Sequence, residues 1–331
     1  MLRLFVIASS LFFLSVCGGG SSSVKNGETS VNSSNVSVDS STASSISSSV
    51  SSSAAASSDA ATAGLYGLYV SLHMGREDQL LGNAAREEQF LKFVADNGFN
   101  YLIFYELEGM EPDSVKAKQF ASLVGRAKSN AGVTQVAAAL GDADQADVVV
   151  AYNNGRPASE RIDVLNVEYE FWNKSNRKVE FANTISMLER FNAAASANNL
   201  TTEIYIGWVD AIEAVSLANV TDRILVHYYR ENEIDIINYG IERLEWMAAA
   251  SRKVKVAPIF SAEGPKNTYD APFMGCWLEK NANQQAFKAW KEQYDALDKP
   301  WKENLEIVGS TWFIYDKFLD VGIGPENGCS Q

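Results

Sequence analysis

From residue 64 onward the chain alternates two kinds of hydrophobic pattern. Short apolar runs fall at 67–72, 101–107, 133–140, 164–171, 203–208, 223–229, 255–261 and 306–315. They are rich in Val, Ile, Tyr and Phe, the composition of strands. The run Tyr101-Leu102-Ile103-Phe104-Tyr105 is apolar on both faces, which suits a parallel strand covered on both sides. Between the runs lie stretches with helical spacing. In 84–96 the spaced residues are Ala85, Phe90, Phe93 and Val94, and Asp96-Asn97-Gly98 forms a stop, since glycine tolerates the left-handed conformation. Similar stretches occupy 114–129, 179–197, 211–218, 234–250 and 284–297, with weaker ones near 144–152 and Phe318. Eight strands alternating with about eight helices predict a (β/α)8 TIM barrel, class α/β, over residues 64–331. The rival open, doubly wound sheet would offer a glycine-rich phosphate loop after its first strand. Ser71-Leu72-His73-Met74-Gly75 stands there instead, which gives a nucleotide site no support.

Residues 1–63 follow neither pattern. Arg3 precedes an apolar run from Leu4 to Val16. The run is short for a bilayer span, which takes about 20 residues, and has the proportions of a signal-peptide core. It ends in Leu14-Ser15-Val16-Cys17, followed by Gly18-Gly19-Gly20. This resembles the bacterial lipoprotein signal, which implies lipidation of Cys17 after removal of residues 1–16 and a lipid anchor in the cell envelope, at the outer membrane or cell surface. Residues 17–63 then read as a disordered linker. It is rich in serine, lacks aromatic residues and cannot bury enough surface to offset its chain entropy. A coil of that kind reaches roughly 35 Å.

In a parallel barrel the active site lies at the C-terminal ends of the strands. The fourth run carries the most chemistry there: Asp163-Val164-Leu165-Asn166-Val167-Glu168-Tyr169-Glu170. Strand side chains alternate, so Asn166, Glu168 and Glu170 are expected on the inner face. Buried carboxylates that crowd each other push one of the pair toward its protonated form, the form a general acid needs. A structural network with Arg or Lys is the plainer alternative for the same residues.

That octet resembles the Asp-Gly-x-Asp-x-Asp-x-Glu motif of family 18 glycoside hydrolases, the chitinases and endo-β-N-acetylglucosaminidases. This chain has Val164, Asn166 and Glu168 where the family has Gly, Asp and Asp, and it lacks the family's Ser-x-Gly-Gly on strand three. The resemblance implies that Glu170 is the acid/base and that Glu168 orients the substrate's N-acetyl group. It also implies a supporting role for Tyr228 in Val226-His227-Tyr228-Tyr229, and that Trp312 in Ser310-Thr311-Trp312-Phe313 floors the sugar site. The attacking nucleophile would then be the substrate's own acetamido oxygen, an exception to the two-carboxylate rule. A second resemblance, to clan A retaining glycosidases, makes Glu263 at the end of the seventh run a nucleophile, with His227-Tyr228 at the end of the sixth. A non-catalytic, carbohydrate-binding lipoprotein with a degenerate site is the reading from another class.

Trp172, Trp208, Trp277 and Trp312 all fall at or after strand ends, where flat faces bind sugar rings, whereas Trp246 and Trp290 fall within helices. Asn166, Trp172, Trp208, His227 and Trp312 form the expected substrate-binding set. Cys276 and Cys329, the other cysteines besides Cys17, are expected to pair, as exported proteins allow. Charge completes the picture. Lys and Arg total 28 against 41 Asp and Glu, a net of −13, which disfavours a nucleic-acid footprint. With three cysteines and two histidines no metal centre or other cofactor is expected. The expected partners are a glycan or polysaccharide substrate and a membrane reached through the lipid anchor, with the domain a monomer.

Overall fold

The computed structural model describes residues 64–73, 79–264 and 274–321. The expected signal peptide and linker, Cys17 and Cys329 lie outside the described residues. Eight parallel staves close into a ring. They begin with β1 (Leu65–Ser71), β2 (Tyr101–Tyr105), β3 (Gln135–Leu140) and β4 (Val164–Val167). They continue with β5 (Thr201–Ile206), β6 (Arg223–His227) and β7 (Val254–Ser261). The eighth stave is made of two pieces, β8 (Leu305–Ile307) and β9 (Gly309–Phe313). Neighbours pair in order from β1 to β7, and β9 closes the ring by pairing with both β7 and β1. This is the (β/α)8 barrel that the alternating pattern predicts.

The break in the eighth stave has a local cause. Gly309 has φ +142°, and a Cβ there would lie 1.8 Å from the Leu65 carbonyl oxygen, so only glycine lets β9 approach β1. The ladder bridges the break at Val308. Its N–H donates to Val256 at 3.0 Å, and its carbonyl accepts from Leu65 at 2.7 Å.

Helices cover the outside: α1 (Ala84–Asn97), α2 (Val115–Asn130), α3 (Gln145–Asn153), α4 (Arg177–Asn198) and α5 (Ala211–Val220). The remainder are α6 (Ile241–Ala248), α7 (Gly275–Leu278), α8 (Gln284–Ala296) and α9 (Tyr315–Leu319). Their ends obey local chemistry. Gly98 caps α1 in the left-handed conformation at φ 73°. Asp210 and Glu213 form a capping box at the start of α5, satisfying two otherwise free N–H groups. α6 is shorter than the pattern predicts, because residues 235–240 form turns, with the Asn238 and Tyr239 N–H groups donating to the Asp235 carbonyl and left-handed Gly240 preceding the helix. Between the layers, outward side chains pack with helix side chains, as Phe104 does with Phe90 and Phe120.

Inside the ring, contacts between non-adjacent strands show which residues face inward. Tyr101 on β2 reaches Glu203 on β5, and Tyr69 on β1 reaches Glu168 just beyond β4. Such spans cross the barrel interior. Strand phase follows from them: Tyr69 and Ser71, Tyr101 and Tyr105, Asn166 and Glu168, Glu203 and Tyr205, and Arg223 and His227 alternate inward.

Candidate active site

Two polar clusters occupy the barrel interior at different heights. The lower one is closed. Glu203 is fully buried, forms an ion pair with Arg223, and accepts hydrogen bonds from Tyr101 Oη at 2.7 Å and Asn166 Nδ2 at 2.6 Å. The Arg223 guanidinium also lies over the Tyr101 ring, 4.6 Å from its centroid. Every charge here has a counter-charge or a donor, as buried charges require.

The upper cluster sits at the C-terminal end of β4. The Glu168 N–H continues the ladder to Leu140 at 2.9 Å, and its carboxylate faces the hydroxyls of Tyr69 (3.3 Å) and Tyr105. Around it five rings form a wall: Tyr69, Tyr105, Tyr205, Tyr229 and Phe313, with successive centroids 5.4 to 6.3 Å apart. Burial pushes the Glu168 carboxyl up to about 8, and the neighbouring charge of Glu170 adds to the effect, while the two tyrosine hydroxyls act against it. Glu168 therefore holds a proton at neutral pH. The same burial, with Glu168 beside them, keeps Tyr69, Tyr105 and Tyr205 firmly protonated.

Glu170 is placed differently from the alternation rule. β4 ends at Val167, and buried Phe171 begins a 3₁₀ turn, Phe171–Asn173, anchored on Phe181. Glu170 is thereby set at the rim, exposed, with Asn173 Nδ2 donating to it at 2.7 Å. Asn166 faces inward as expected, but it lies below the site, bound to Glu203.

The other expected residues divide. Trp172 lines the wall, its ring 5.6 Å from Tyr205. Trp208 stands at the rim 46% exposed, with His227 6.0 Å away. Arg243 steadies this side by donating to the carbonyls of Gly207 and His227 at 2.8 and 3.1 Å. His227 faces inward against Tyr229, with its Nε2 3.7 Å from the Glu233 carboxylate and without a hydrogen-bond partner. Burial and the charge of Arg243 hold His227 neutral.

Two expectations are corrected by strand phase. Tyr228 points outward into the helical layer, against Trp290 and Tyr239, so it cannot touch a ligand in the barrel; Tyr229 faces inward instead. Trp312 also points outward, fully buried between Phe260 and Phe318, and Phe313 supplies the inward ring. Glu263 is not gathered into the Glu168 cluster. It accepts from Ser261 at 2.8 Å and faces Lys317 and Asp316, and burial raises its carboxyl above the usual range. Cys276 lies in α7, while its expected partner Cys329 is outside the described residues.

The tyrosine wall is what the sequence reading missed. Its signal was present: Tyr69, Tyr105 and Tyr205 sit at the same phase on β1, β2 and β5 as Glu168 does on β4. Tryptophan positions alone do not reveal them. One more mouth residue also escaped notice. Glu106 has a left-handed backbone (φ 65°), and its carboxylate accepts from Ser71 Oγ at 2.6 Å and the His73 N–H at 2.8 Å.

No family model and no curated protein matches the sequence. Solved structures of similar chain course include a Group IV chitinase from Ostrinia furnacalis, 12% identical with a TM-score of 0.48, covering 81% of this chain and 98% of that one. A GH18 chitinase from Pseudoalteromonas aurantia is 9% identical with a TM-score of 0.46, covering 76% and 94%. An aldolase, QR15, is also 9% identical with a TM-score of 0.40, covering 78% and 95%.

Proposed function

We propose that this chain is a glycoside hydrolase of the cell envelope, anchored by lipid at Cys17, that acts on a glycan or polysaccharide containing N-acetylglucosamine. One observation carries the reading: a carboxyl held protonated at neutral pH, Glu168, at the C-terminal end of a barrel strand and next to an exposed carboxylate, Glu170. A carboxyl raised by burial and by a neighbouring carboxylate carries the proton that a general acid must deliver.

In this reading Glu168 protonates the departing glycosidic oxygen as its bond to the sugar carbon breaks. It then takes a proton from the water that adds to that carbon. Glu170, at the rim, orients the substrate's acetamido group, whose oxygen attacks the sugar carbon first. The two glutamates thus exchange the roles that the motif resemblance implies. The tyrosine wall excludes water, and Trp208 offers its face to a sugar ring beyond the scissile bond. Hydrolysis of N-acetylglucosamine oligosaccharides, followed by product chromatography, is expected for the wild type and lost in Glu168→Gln. Oligosaccharide binding with no product from the wild type would instead assign the chain to the carbohydrate-binding class.

A further inference from the structure

The two interior clusters are joined. Asn166 has two amide hydrogens: one is given to Glu203 Oε1 at 2.6 Å, and the other points to Tyr69 Oη at 3.5 Å. The Tyr69 hydroxyl in turn lies 3.3 Å from Glu168 Oε2. The direction of each bond follows from the one below it. An anionic Glu203 accepts only, so the Asn166 amide must present its NH2 to it. A flip would set the amide oxygen against a buried carboxylate. With its NH2 fixed, the amide's second hydrogen faces the Tyr69 oxygen, and the one hydrogen of that hydroxyl is left to point up the barrel.

We propose that Glu203 and Asn166 are positioning residues that aim the Tyr69 hydroxyl at Glu168, so that the ion pair at the closed end of the barrel sets the orientation of a donor at its mouth. This rests on reading Glu168 as the functional acid. Asn166 Oδ1, which has no hydrogen-bond partner, is the oxygen that would meet Tyr69 or Glu203 if the amide turned over. The charged and titratable groups facing Glu168 are Tyr69 from β1, Tyr105 from β2, Glu170 beyond β4, Glu203 and Tyr205 from β5, and Tyr229 beyond β6.

A sign separates this chain of bonds from simple proximity. Replacing the ion pair by apolar side chains, Glu203→Leu with Arg223→Met, removes one negative and one positive charge together, so the net charge near Glu168 is unchanged. Through space alone, the midpoint of Glu168 should stay put or fall slightly, because the Glu203 charge that raises it is gone. If the pair aims Tyr69, the freed amide turns its oxygen to the hydroxyl, Glu168 loses a donor that favours its charged form, and the midpoint rises by about one pH unit. The measurement is a ¹³C-carboxyl NMR titration of the full chain, with the Glu168 signal assigned by its disappearance in Glu168→Gln. Glu203→Gln with Arg223→Met, an uncharged pair that no longer dictates which end of the amide it meets, serves if the apolar pair does not fold and should also raise the midpoint; adding Asn166→Leu, which has no oxygen to turn, should cancel either rise. Neither change should add to Tyr69→Phe, because the hydroxyl through which both act is then gone. A falling or unmoved midpoint, or effects additive with Tyr69→Phe, overturns the proposal. A confirmed relay in a wild type that hydrolyses nothing would sink the enzymatic reading and leave the relay standing.

Discussion

Glu203 and Glu168 are the same residue on neighbouring staves of one barrel, yet they live under opposite conditions. Glu203, at the closed end, has Arg223, Tyr101 and Asn166 around it. Glu168, at the mouth, has tyrosine hydroxyls and a second carboxylate. A buried carboxylate with a cation stays ionised and ties strands together. One faced by hydroxyls and another acid keeps its proton and is available for chemistry. The counter-charge separates the structural acid from the functional one.

The largest effect expected from breaking this contrast is on turnover. Glu168→Gln should lower kcat by about 10²–10⁴-fold, the usual worth of a positioned general acid, with an unchanged circular dichroism spectrum. At the closed end the loss should fall on stability instead. Arg223→Ala strands the Glu203 charge and should cost about 3–5 kcal/mol in denaturant unfolding, whereas replacing both partners by apolar residues should come close to neutral. Unchanged stability in Arg223→Ala would mean that Arg223 is not what holds the Glu203 charge in the barrel.

The two tryptophans extend the comparison. Trp312→Ala should destabilise the fold by about 3–5 kcal/mol, since the ring fills space between Phe260 and Phe318. Oligosaccharide affinity per folded molecule should not move. Trp208→Ala should do the reverse, weakening binding roughly tenfold by calorimetry with little change in melting temperature. A melting-temperature drop in Trp208→Ala with unaltered affinity would remove that residue from the binding surface.

The smallest effects concern pH. The folded protein keeps the Glu168 proton up to about pH 8, while a free glutamate loses it near 4.5. Between those values the folded state binds more protons than the unfolded one, so this group makes stability fall as pH rises through that window. Glu168→Gln should abolish that slope and melt above the wild type at pH 9. Glu170→Gln removes a charge that raises Glu168, so the alkaline limb of the rate profile should shift to lower pH. An unmoved limb would separate the two carboxyls electrostatically.

The barrel was legible in the chain because strand and helix periods differ, and each local run carries its own period. Phase within a strand was less legible. The run Val226-His227-Tyr228-Tyr229 is aromatic or apolar on both faces, and so is Thr311-Trp312-Phe313, so polarity offers no cue to which side faces the barrel. The inward rings are Tyr229 and Phe313, one residue beyond Tyr228 and Trp312. In the octet containing Glu168 and Glu170, alternation places both carboxyls inward, yet Glu170 leaves the inner face because buried Phe171 turns the chain after Val167.

By itself, then, the sequence determined the alternating elements, the closed barrel and the strand whose end carries the acids, all of which follow from local periodicity and side-chain type. The tertiary structure alone decided which glutamate has a cation beside it and which has tyrosines. Proton affinity depends on groups brought together from different staves. Arg223 is 20 residues from Glu203 and Tyr69 is 99 from Glu168, and closure of the ring is what makes neighbours of them.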